Sequence, residues 1–198
     1  MHYTLIVAVP EWANVEDLMA PFDENLEVPG HWSDYVSESE KEKFCNYYKE
    51  DVENFEDAYK RHGNDWNGNR WKKNSLGAWR EWSTWNENAQ WDWYEVGGRW
   101  PGRLTLKEGS ESEPGVSFSW GWSEDEKKKF LAENPRCADR AKKKDVANLE
   151  ELSSWALLID GEWIDVGDWK DDDKDLKVYD YLKDLDDEIV LVCIDYHM

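Results

Sequence analysis

The run Trp91-Asp92-Trp93-Tyr94-Glu95-Val96-Gly97-Gly98-Arg99-Trp100 brings flat aromatic faces, a guanidinium and glycine-bent backbone into one short stretch. Arg99 can fork onto a phosphate, and the Gly97 and Gly98 amides can turn toward an anion. Stacking on Trp93, Tyr94 and Trp100, with Trp91 beside them, is worth about 1–3 kcal/mol per base. If 99–103 is extended, Arg103 shares a face with Arg99. Two stacked bases and two charge-assisted contacts give micromolar binding or better, roughly −8 kcal/mol. The spacing therefore assigns a ligand-binding role to Trp91, Trp93, Tyr94, Gly97, Gly98, Arg99, Trp100 and Arg103. A second reading stays open, in which Arg99 holds Asp92 or Glu95 internally while the aromatics pack a core.

A separate set of residues could handle protons. Asp195 and His197, two apart on a strand, point the same way, and Asp145 or His2 could join them as a metal site or an acid/base pair. The bland reading is that His197 pins the last strand. With four histidines, no HxxxH, no GxSxG and no phosphate loop, the sequence assigns no catalytic residue, metal or cofactor. The acidic stretch from Asp168 to Asp175 lacks the glycine and terminal glutamate of an EF-hand loop and reads as a solvated turn or helix start. Cys45, Cys137 and Cys193 form no CxxC pair and leave one over, against a disulfide framework or a zinc ribbon.

Composition sets the frame for these motifs. The chain has 198 residues, 40% of them hydrophobic, which suits one folded domain. A formal net charge of −21 repels nucleic acid and argues against direct DNA binding. The charge is uneven: from Lys60 to Lys107 nine Lys or Arg face five acids, a local balance of +4, leaving −25 for the remainder. The segment from Trp66 to Trp100 also carries eight of the 15 tryptophans, more than core filling alone requires. A basic, Trp-rich island in an acidic chain is what a pocket for a small anion with flat rings looks like. Solvated neighbours of a structural Trp cluster are the other explanation. The segment Thr4 to Val9 is too short for a secretory or membrane-spanning segment, and no stretch approaches ~20 apolar residues. A soluble protein of a reducing cytosol is expected, with no membrane partner; the aromatic surplus would also suit a homo-oligomeric interface.

These groups need elements to hold them. Tyr3 to Val9 reads as an apolar strand inside a sheet, and Val15 to Ala20 as a helical turn. Ser37 with Glu40 forms a capping box, and Phe44, Tyr48, Val52, Phe55 and Tyr59 keep helical spacing, predicting one helix over 38–62. Residues 63–90, rich in Trp and Asn without a clean period, read as an irregular or partly helical excursion. Strands follow at 103–107 and 116–120, a helix capped by Ser123 over 124–133, and a helical candidate from Lys142 to Ser154. Ala156–Ile159 and Glu162–Val166 flank Asp160-Gly161, a two-residue hairpin turn. A helix near 173–185 and a strand from Ile189 to Asp195 close the chain. The predicted class is α+β: a mixed, mainly antiparallel sheet flanked by helices, a single compact domain with a Trp-rich insertion.

Ala20-Pro21-Phe22-Asp23-Glu24-Asn25, the Asp-Trp-Tyr-Glu-Val-Gly-Gly-Arg-Trp block as it stands at 92–100, Lys144-Asp145-Val146 ahead of the hairpin, and the terminal Asp195-Tyr196-His197 resemble a family of uncharacterised proteins found mainly in bacteriophages and prophage-bearing bacteria. The resemblance spans most of the chain in order. It brings no established activity; what it implies is a small accessory phage protein of the host cytosol, one that counters a host defence. Two functional expectations follow. In the first, the Trp/Arg pocket sequesters a nucleotide-type immune signalling molecule. In the second, the acidic helices around Glu38 to Glu56 and Asp168 to Asp187 imitate nucleic-acid phosphate and block a basic host defence protein such as a CRISPR or restriction nuclease.

Overall fold

The two most apolar segments of the chain lie near its two ends, and they pair with each other. The computed structural model describes residues 1–166 and 178–198. In chain order the elements are β1 (His2–Val9), α1 (Val15–Met19), β2 (His31–Tyr35), α2 (Glu38–Tyr48), α3 (Phe55–Asn67), β3 (Trp71–Lys73), β4 (Trp79–Ser83), β5 (Trp93–Val96), β6 (Leu104–Thr105), α4 (Glu124–Glu133), β7 (Cys137–Ala138), β8 (Arg140–Lys142), β9 (Ala156–Ile159), β10 (Glu162–Asp165), α5 (Val178–Leu182) and β11 (Val190–His197). The contacts divide them between two compact units, Met1–Glu24 with Asn88–Met198, and Asn25–Glu87.

The first unit is built on a mixed sheet in the order β10-β9-β1-β11-β5, with β8 also pairing β11. Only β1 and β9 run parallel; the other pairs are antiparallel. β1 lies between β9 and β11, and its apolar run is almost continuous because both faces are covered. One face carries Ile6, Ala8, Leu157, Leu191 and Cys193 beneath Val178 and Leu182 of α5. The other carries Leu5, Val7, Leu158, Val192, Ile194 and Tyr196 beneath Val15 and Met19 of α1. The β9–β10 turn is as expected: Asp160 and Gly161 have φ of 53° and 78°, the left-handed pair that a two-residue hairpin requires. Among the described residues no helix is long and apolar enough to cross a membrane.

Several local expectations are corrected. The strand predicted over 103–107 shrinks to β6, with Leu106 making a single bridge to Val146. Residues 116–120 form no strand; the buried Asp139 carboxylate accepts the Ser117 and Gly102 amides, so a side chain takes the place of a partner strand. The helix predicted from Lys142 to Ser154 is two 3-10 turns, Lys143–Asp145 and Leu149–Glu151. The buried Lys143 ammonium donates to the Lys183 and Leu185 carbonyls, and Asp145 accepts from Ser112, contacts that pin the backbone out of helical register. Of the helix expected at 173–185, α5 is the described part; Asp168 to Asp175 lies outside the described residues. Ser123 and Glu126 form a full capping box at the start of α4.

The second unit holds the sheet β2-β4-β3 with α2 and α3. The single helix predicted over 38–62 is broken: the capping box of Ser37 and Glu40 starts α2, but Lys49 takes a left-handed conformation (φ 59°), and α3 begins only at Phe55. A straight helix would spread its aromatic stripe, Phe44 to Tyr59, over about 22 Å at ~1.5 Å per residue. Folding back instead sets Phe44 against Phe55 and Tyr59, with ring centroids 5.6 and 5.5 Å apart. Segment 63–90 is likewise more regular than predicted, containing the end of α3 and the β3–β4 pair. Its period is lost because three short elements follow one another. Trp66, Trp71 and Trp79 pack onto the Phe44–Phe55–Tyr59 core, so these indoles are structural.

Candidate functional site

Side-chain alternation on β1, β5 and β11 decides which residues share a face. His2 lies opposite His197, and Trp93 lies on the other side of His197 in the adjoining strand pair. Asp195 is two residues back from His197 on the same face. These side chains collect at the end of the sheet face that elsewhere carries Ile6, Ala8 and Cys193. There they line an open cavity of 310 Å³, together with Asp92, Arg99, Ser119 and Trp120.

Each histidine is held by its own carboxylate. His2 Nδ1 lies 2.9 Å from Asp195 Oδ1, and His197 Nδ1 lies 2.9 Å from Asp92 Oδ1. Ionised carboxylates only accept, so each Nδ1 carries a hydrogen and each Nε2 is left for the cavity. The two rings meet edge to face with centroids 5.4 Å apart, and the Trp93 indole stands edge-on to His2 at 5.7 Å. Asp195 is fully buried and spends its second oxygen, Oδ2, on the Arg99 amide at 3.0 Å. The 97–99 turn and the His2 ring are thus fixed by one carboxylate.

The turn itself explains the glycines. Gly97 and Gly98 both have positive φ, 71° and 59°, and a Cβ on Gly98 would stand 2.7 Å from Asp195 Cβ. Their amides do not face the cavity: Gly97 donates to the Cys193 carbonyl and Gly98 to the Val96 carbonyl, each at 2.9 Å. The glycines let backbone approach two buried carboxylates, Asp139 and Asp195, and the expected anion-binding pair of amides is corrected accordingly. The same turn delivers the far wall. Gly98 accepts the Ser119 amide at 3.2 Å, which sets Trp120, 96% exposed, at the rim.

The twelve residues singled out by sequence therefore separate. His2, Trp93, Arg99, Asp195 and His197 come together in the cavity. Trp91 and Tyr94 belong to the opposite face of the sheet, where the Trp91 indole N–H donates to the Met19 carbonyl at 3.0 Å and its ring meets Tyr94 at 4.9 Å. Trp100 is half-exposed on the turn and Arg103 points elsewhere, donating to the Ser153 carbonyl and hydroxyl at 2.7 and 2.9 Å. The 99–103 segment turns twice instead of extending, with Gly102 at φ 70°, which separates the two arginines. Asp145 is a buried partner of Ser112 and takes no part. Asp195 serves His2 and Asp92 serves His197, so the expected Asp195–His197 pair does not form. Nor does Arg99 hold Asp92 or Glu95; among the described residues its guanidinium makes no hydrogen bond or ion pair. The +4 island is divided between the two units. Lys60, Arg61 and Lys73 are paired with Glu56, Asp57 or Glu50 in the second unit, and Lys107 donates to the Lys144 carbonyl in the first.

Asp92, Ser119 and Trp120 escaped sequence reasoning as ligand-facing groups. The Trp120-Gly121-Trp122 run was the one local signal available, since an indole beside a glycine in a polar segment has little to pack against. Among the described residues no three His, Cys, Asp or Glu side chains converge as a metal ion requires. Comparison with models of protein families, with curated proteins and with solved structures finds no match for the chain.

Proposed function

We propose that this cavity binds a small nucleotide-type anion and withdraws it from solution. The observation that carries the reading is Arg99: a guanidinium with no protein partner among the described residues, lining the same cavity as two exposed indoles, Trp93 and Trp120. A free guanidinium offers a bidentate site to phosphate, and the indoles offer faces to a base. The volume of 310 Å³ is at the small end of the ~300–1,000 Å³ range of ligand pockets, which suits one nucleotide unit with the rest of a larger molecule lying outside. In the phage setting implied by the resemblance, the molecule withdrawn would be a nucleotide signal of host immunity.

The test is the melting temperature of the purified chain with linear and cyclic nucleotides. Ligand at ~100 times its dissociation constant adds about 2.7 kcal/mol, a rise of several degrees that Arg99→Ala should abolish. No rise across the panel would overturn the reading. That result would favour the acidic-mimic alternative, which rests on the charge of −21 and on exposed Glu38, Glu42, Asp51 and Glu53, and would direct the search to a basic protein partner.

A further inference from the structure

Retention of an anion with flat rings is served by Arg99 and the indoles; it does not call for two imidazoles, each locked by a carboxylate. In both pairs the Nδ1–carboxylate contact is 2.9 Å, so Nε2 is a lone pair when the ring is neutral and an N–H when it is charged. The rings are 5.4 Å apart and line the same cavity. One can take a proton from a bound group while the other gives one to it. Their spacing is set by rigid structure, because His2 and His197 are register partners in the eight-residue β1–β11 ladder. A histidine that merely pins a strand needs no second histidine beside it and no cavity in front of it.

We propose that the site cleaves a phosphodiester in the nucleotide it binds, with His197 as general base and His2 as general acid; the inference rests on the nucleotide reading above. His197 is the more open of the two rings, 39% exposed against 23% for His2, so water reaches it more readily. The water oxygen forms a new bond to phosphorus as its proton passes to His197 Nε2. The bond from phosphorus to the leaving nucleoside oxygen breaks, its electron pair stays on that oxygen, and the oxygen takes the proton from His2 Nε2. One water is consumed, and the products are a phosphomonoester and a free hydroxyl. Solvent then returns the proton from His197 to His2. Arg99 faces the charge on the non-bridging oxygens, and Asp92 and Asp195 hold the rings without themselves taking up a proton.

The experiment incubates the full chain with 3′,5′-linked diribonucleotides and 3′,5′-cyclic dinucleotides, follows melting temperature in parallel, and separates products by chromatography. The expected result is hydrolysis by the native chain and a loss of ~100-fold or more in His197→Gln and His2→Gln. Both variants should keep the ligand-induced rise, and His197→Gln, at the more exposed ring, the native melting temperature as well. If His2→Gln does not fold, restoration of cleavage in His197→Ala by free imidazole is the deciding measurement. A thermal rise with every dinucleotide recovered intact overturns cleavage and leaves the binding reading standing. Neither rise nor product overturns both. Product formed equally fast by both glutamine variants also overturns the assignment.

Discussion

Asp195 and His2 are 193 positions apart in the chain, and their side chains meet at 2.9 Å in the β1–β11 pair. Because the same carboxylate accepts the Arg99 amide, Asp195→Ala leaves two polar groups short of a partner near a fully buried position. The expected cost is about 1–3 kcal/mol. Chemical denaturation checks it; an unchanged midpoint would contradict the role assigned to Asp195.

Arg99 and Trp91 of the 91–100 block, and Trp120 beyond it, should separate by function and stability. Arg99→Ala and Trp120→Ala remove side chains without structural partners among the described residues and should leave stability within about 0.5 kcal/mol while abolishing ligand response. Trp91→Ala removes core packing and the bond to Met19, and should cost about 2–4 kcal/mol. Melting curves of the three variants with and without ligand distinguish these outcomes.

Gly98→Ala should be worse tolerated than Gly161→Ala. Both have positive φ, but a Cβ at Gly98 meets Asp195 whereas one at Gly161 has nothing within 4 Å. Gly161→Ala should show only the backbone strain, about 1–2 kcal/mol. Gly98→Ala adds the clash and should also displace His2, visible as a shifted imidazole resonance by NMR.

Asp145 gives the protein an acid-sensitive tie. Burial pushes its carboxyl up, but bonds from the Ser112 hydroxyl and amide and the Glu111 amide outweigh this and hold it below the ordinary 3.8. A depressed folded value means stabilisation fully present above 3.8 and lost as pH falls through the lower folded value. Asp145→Asn should therefore be less stable by about 1–3 kcal/mol at pH 7, with the gap narrowing below pH 3.8. Urea titrations at several pH values measure the gap directly; a gap independent of pH would contradict the assignment.

Thiol chemistry should follow burial. Burial pushes the Cys193 thiol up to about 12 and raises Cys45, also buried. Cys137 is raised by burial too but is only half-buried. At pH 8 a disulfide reagent should titrate Cys137 slowly, leave the other two untouched in the native protein, and reach all three after denaturation.

Much of this arrangement is written locally. The apolar runs of β1 and β11, the Asp160-Gly161 turn and the Ser37/Glu40 and Ser123/Glu126 capping boxes are visible because residue type and short spacing determine them. Trp93, Arg99, Asp195 and His197 are also visible, but as two unrelated motifs. Their union depends on β5 meeting β11 in one register, and the Asp92–His197 contact crosses 105 positions. No spacing rule encodes that. Trp120 depends on the Ser119–Gly98 bond and Asp195 on a partner at the other end of the chain, so both are properties of the folded unit alone. Where local rules misled, as over 38–62 and 142–154, tertiary contacts overrode propensity: the Phe44–Phe55 packing in one case, the burial of Lys143 and Asp145 in the other.

The position of β1 in the sheet also governs how the chain is born. Its two neighbours, β9 and β11, begin at Ala156 and Val190, so the first strand leaves the ribosome with no partner in existence. At ~5–20 residues per second, roughly ten to forty seconds pass before the last strand arrives. Until β9 emerges this apolar strand has two open edges, and one edge stays open to other nascent chains until β11 follows. Production of this chain should consequently depend on chaperone supply.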